Sequence, residues 1–90
     1  MQLEIYKINY PFKIAITEKL KSQVISRLKK VSPNTALGFA LHDFSKKPEE
    51  KTDEDFKELL NDLYSELREG PFLMKIILGN NFSFFRNLLS

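Results

Sequence analysis

The chain has no cysteine and no tryptophan, one histidine and three glycines in 90 residues. Without cysteine there is no disulfide scaffold, no thiolate zinc site and no cysteine nucleophile. A single histidine removes histidine-rich metal sites and any acid–base pair of imidazoles. Three glycines are few for a phosphate-cradling loop. Neither a Walker loop, a glycine-rich dinucleotide turn, a G-x-S-x-G elbow nor an H-E-x-x-H helix occurs. No spacing calls for a cofactor or a metal.

Long hydrophobic runs are missing as well. The longest, glycine included, is Ala36 to Leu41, far short of the ~20 residues that span a bilayer. The opening Met1-Gln2-Leu3-Glu4-Ile5 puts an acid where a signal peptide carries its apolar stretch. The expectation is a cytoplasmic chain, and Asn81-Phe82-Ser83 is read as a chance match to a glycosylation acceptor.

What is present suits one globular domain over residues 1–90: 42% hydrophobic and 29% charged residues leave enough apolar surface for a core without staples. The net charge of +2 hides a split. Residues 1–47 hold nine basic residues against three carboxylates, a net +6; residues 48–90 hold five against nine, a net −4. Such asymmetry points to charged partners.

Periodicity sets the expected elements. Leu3, Ile5, Ile8 and Tyr10 read as a first strand, broken at Pro11, with Phe12, Ile14 and Ile16 as a short second one. Residues 17–31 read as a helix, with Thr17 as N-cap and Leu20, Val24, Leu28 and Val31 on one stripe. Residues 35–44 are apolar on both alternating faces, the pattern of a covered central strand. A loop over 45–51 leads to a helix starting at Thr52 or Asp53 and ending near Glu69. Thr52 and Asp55 resemble a capping box, and Gly70-Pro71 stops the helix. Residues 72–78 read as a third strand, and the tail from Phe82 to Leu89 leans to helix. The stretch Leu63 to Leu67 before Phe72 to Leu78 resembles the helix-to-last-strand ending of ferredoxin-like regulatory domains; no residue role is carried from it. The expected fold is α+β, a two-layer sandwich in the order β(β)αβαβ, with a three-stranded parallel α/β sheet as the alternative.

The most informative pattern lies on the helix 53–69. At 100° per residue, Glu54, Asp55, Glu58, Asp62, Glu66 and Glu69 fall within about 120° of arc. Glu54/Glu58, Glu58/Asp62 and Asp62/Glu66 are like-charge pairs at i,i+4, which together cost the isolated helix about 1 kcal/mol. A solvated face tolerates that cost. A docking surface for a basic partner uses it, because an acidic ridge speeds encounter and rejects wrong partners. The leading expectation is a small non-enzymatic binding module that inhibits, neutralises or regulates a partner protein. That partner would be a nuclease or another nucleic-acid-binding enzyme, with Tyr64 as a flanking anchor. Immunity proteins, antitoxins and phage inhibitors share this size, an analogy only.

Two alternatives stand beside it. Lys13, Lys19, Arg27, Lys30, Lys46 and Lys47 could track nucleic-acid phosphates, although eleven lysines to three arginines tell against base readout. His42 and Asp43, at the expected end of a strand, could form an acid–base pair in a small enzyme. The cluster Phe82, Phe84, Phe85, Leu88 and Leu89 would serve a homodimer contact if the core cannot hold it.

Overall fold

The computed structural model describes residues 14–89. Within them the chain is all-α. Its helices are α1 (Glu18–Leu28), α2 (Ala36–Phe44), α3 (Asp53–Glu69), α4 (Pro71–Leu78) and α5 (Phe82–Leu88), with single 3₁₀ turns at Pro48–Glu50 and Gly79–Asn81. No strand occurs among the described residues. This overturns both the α+β sandwich and the parallel α/β alternative. The strand expected over Leu3 to Tyr10 lies outside the described residues, as does Phe12. Ile14 to Ile16 have no regular structure.

Two apolar runs read as strands are helices, for physical reasons. Residues 36–44 contain no β-branched side chain, and alanine and leucine are the best helix formers. Thr35 starts the helix by accepting a hydrogen bond from the Gly38 backbone N–H at 2.9 Å. Gly38 lies so close to the preceding turn that a Cβ there would stand 2.3 Å from the Ser32 carbonyl oxygen. The glycine is thus required for close approach between backbone segments.

Residues 71–78 carry Ile76 and Ile77, which suggest a strand. Proline at the first helical position gives the opposite signal, because its missing N–H is unneeded there. Met74, Ile77 and Leu78 then face inward together. Gly79, with φ of +56°, ends the helix in a backbone conformation that side chains disfavour.

The helices read as such hold. Thr17 caps α1 by accepting from the Leu20 N–H at 3.1 Å, although the helix stops at Leu28 rather than Val31. Thr52 and Asp55 form the capping box of α3: the Asp55 carboxylate accepts from the Thr52 N–H at 2.8 Å, and the Thr52 hydroxyl accepts from the Asp55 N–H at 3.1 Å.

One core joins these elements. Val24 and Leu28 of α1, Leu41 of α2, Phe56, Leu60 and Leu63 of α3, Met74 and Leu78 of α4 and Phe85 of α5 are all buried. Ser45, also buried, donates its hydroxyl to the His42 carbonyl at 2.5 Å. Among the described residues no buried side-chain polar atom lacks a partner, as a well-formed interior requires. No helix among them is long and apolar enough to cross a membrane.

Candidate functional site

The helical state of residues 36–44 creates a feature that a strand there would not. A groove of about 500 Å³ runs between α2 and α3. Leu37, Ala40, Leu41 and Phe44 line it from α2, and Leu59 and Leu63 from α3. Leu41 and Leu63 are buried; Leu37, Phe44 and Leu59 are half-buried; Ala40 is exposed. These side chains give the groove an apolar floor that remains open to solvent.

Its rim is acidic. Asp55, Glu58, Asp62 and Glu66 border the groove, and Lys51 is the one cation among its lining residues. The Lys51 ammonium lies 4.9 Å from the centre of the Phe44 ring, in cation–π contact. Among the described residues, lysines pair with the N-terminal end of α3. Lys21 binds Asp53 at 2.5 Å, and Lys57 approaches Glu54 at 3.9 Å. Hydrogen bonds to Asp53 first, and also to Glu18, raise the Lys21 pKa above its ordinary value. Beyond that first turn, Glu58, Asp62, Glu66 and Glu69 form no ion pair within 4.0 Å among the described residues.

The acidic residues do not all serve one place. Asp55, Glu58, Asp62 and Glu66 meet at the groove; Glu54 and Glu69 do not line it. Nor does Tyr64, whose hydroxyl accepts from Arg68 at 3.4 Å. Sequence reasoning found the carboxylate row and missed the groove, because the second wall lay in a segment read as a strand. Thr35 as an N-cap ahead of Leu37, Leu41 and Phe44 at i, i+4, i+7 is the available signal.

No family model, curated protein or solved structure matches this chain. The functional reading therefore rests on the residues themselves.

The basic residues considered for nucleic acid are placed differently. Lys13 lies outside the described residues. Lys19, Lys30, Lys46 and Lys47 are exposed. Arg27 stacks on the Phe84 ring, with its guanidinium carbon 4.6 Å from the ring centre, a packing role. Lys46 approaches Asp43 at 3.9 Å.

His42 and Asp43 occupy the last turn of α2, not a strand end. His42 Nδ1 lies 3.2 Å from the Val31 carbonyl oxygen, so a protonated Nδ1 tethers α2 to the segment after α1. His42 and Asp43 are thus turned to different partners. Among the described residues, no group of three or more histidine, aspartate or glutamate side chains could hold a metal ion.

The C-terminal apolar cluster is largely inside the fold. Phe82, Phe85 and Leu89 are buried and Phe84 and Leu88 half-buried. Among the described residues the large exposed apolar side chains are instead Phe39 on α2 and Phe72, Leu73 and Ile76 on α4.

Proposed function

We propose that this protein is a non-enzymatic binding module that inhibits, neutralises or regulates a partner protein through the acidic face of α3. The partner presents a basic surface patch, as nucleases and other nucleic-acid-binding enzymes do. The observation that carries this reading is the run of Glu58, Asp62 and Glu66, in no ion pair among the described residues, beside an open apolar floor. A merely solvated helix face has no need of both. The carboxylates repel one another along the helix, while a cationic partner turns that repulsion into attraction and a faster encounter.

The test is affinity capture from the native source with three baits. One is the wild type, the second carries Glu58→Lys, Asp62→Lys and Glu66→Lys, and the third carries Asp43→Lys, Glu49→Lys and Glu50→Lys. The third matches the net charge of the second but leaves the groove intact. A partner retained by the first and third baits and lost by the second supports the reading. Capture by the second bait equal to wild type removes it.

A further inference from the structure

Resting on that reading, we infer that the groove between α2 and α3 receives a single amphipathic helix of the partner, apolar on one side and lysine- or arginine-rich along its edge. The groove holds about 500 Å³, space for the apolar side chains of one helix face and not for the helix itself. Its floor is aliphatic and aromatic, supplied by Leu37, Phe44, Leu59 and Leu63. Such a floor binds apolar side chains and offers nothing to a sugar-phosphate backbone, which the carboxylate rim also repels.

The spacing of the rim selects the helix. Asp55, Glu58, Asp62 and Glu66 recur every three or four residues, one per turn, about 5–6 Å apart along α3. The row from Asp55 to Glu66 covers roughly 16 Å, or three turns. A helix lying along α3 repeats its own lysines or arginines at the same step, so each meets one carboxylate. It delivers apolar residues at i, i+3 or i+4 and i+7 to the floor, the usual pattern of a helix held in a groove. A strand repeats its same-face residues every ~6.8 Å and falls out of step within three repeats. Charge complementarity and periodicity thus point to the same occupant.

The probe is a synthetic peptide of about 14 residues, roughly 21 Å long as a helix, made only of leucine and lysine. Its leucines follow the i, i+3, i+4, i+7 pattern. A control peptide of the same composition alternates leucine and lysine in a strand pattern. Each is titrated into the ¹⁵N-labelled 90-residue chain while peptide helicity is followed by circular dichroism. The inference expects the first peptide to become helical, to shift the amides of Leu37, Ala40, Phe44, Leu59 and Leu63, and to bind at least about tenfold more tightly than the control. Ala40→Gln, an uncharged change at an exposed helical position, is expected to weaken binding by about tenfold with the fold intact.

Equal binding of the two peptides, or no binding of either at millimolar concentration, overturns the inference. So do shifts centred on Phe72 and Ile76 of α4, which would assign the helix to that face. Groove amides that shift on dilution without peptide would give the groove to a second copy of this chain, with the same consequence. Loss of native capture on charge reversal, together with equal binding of the two peptides, leaves the acidic-face reading standing and removes only the helical occupant. Capture unaffected by charge reversal removes the acidic-face reading itself, whatever the peptides do.

Discussion

The rings of Phe44 and Phe56 meet edge to face, with centroids 5.2 Å apart and planes at 87°. This contact ties the last turn of α2 to the first turn of α3. Both rings also carry a lysine: Lys51 stands 4.9 Å from the Phe44 centroid and Lys21 5.8 Å from that of Phe56. Phe44 also lines the groove, so the pair joins the groove wall to the core. Phe56 is 2% exposed, and truncation leaves a cavity. Phe56→Ala is expected to cost about 3–5 kcal/mol, measured by urea denaturation. A loss below about 1 kcal/mol would mean the pair does not anchor the two helices.

Gly38 provides a second test of how α2 is held. Alanine in a helix interior ordinarily gains up to ~1 kcal/mol over glycine. Here its Cβ would stand 2.3 Å from the Ser32 carbonyl oxygen and 2.9 Å from the Thr35 hydroxyl. Backbone cannot yield as a flexible side chain does. Gly38→Ala is expected to destabilise the protein by about 1–3 kcal/mol, read as a lowered denaturation midpoint. A stabilised variant would show that the turn before α2 is looser than described.

The Lys21–Asp53 pair links α1 to the start of α3, and its pH dependence has a definite sign. Hydrogen bonding to Asp53 raises the folded-state pKa of Lys21. A raised lysine pKa gives stability that is fully present below the unfolded value of about 10.4. It is lost as pH rises through the folded value. The stability difference between wild type and Lys21→Met should therefore stay constant from pH 6 to about 9.5 and shrink at higher pH. A difference that instead vanished near neutral pH would contradict the pairing.

How legible this molecule was in its sequence varied by element. Capped, strongly periodic segments declared themselves. Thr17 before Glu18, and Thr52 with Asp55 ahead of Phe56, Leu60 and Leu63, set helices α1 and α3 through local hydrogen bonding and one apolar stripe. Short, wholly apolar segments did not. In an apolar run of eight or nine residues, alternation and helical periodicity leave the same trace. Thr35 as a cap and Pro71 at a first helical position are the deciding marks; in the sequence Thr35 stands at the head of an apolar run that reads as a strand, and Pro71 reads as the stop of α3 rather than the start of α4. That error hid one wall of the groove, because Leu37, Ala40 and Phe44 share a face only on a helix. The carboxylate row needed no tertiary information and was read directly. Which of its members meet at one place did need it: Glu58, Asp62 and Glu66 line the groove, and Glu54 and Glu69 do not.

The claim at the centre of this account is that the carboxylates along the groove serve something outside the fold. The most direct measurement is the unfolding free energy of the triple variant Glu58→Gln, Asp62→Asn, Glu66→Gln against wild type, at low and at moderate salt. Neutralisation relieves repulsion at i,i+4 and removes a negative charge near the C-terminal end of α3, where the helix dipole disfavours it. The variant is expected to be more stable by about 0.5–1.5 kcal/mol at low salt, with the gain shrinking as salt screens the repulsion. A variant less stable than wild type would show that these side chains hold the fold together, and the groove would lose its standing as a recognition surface.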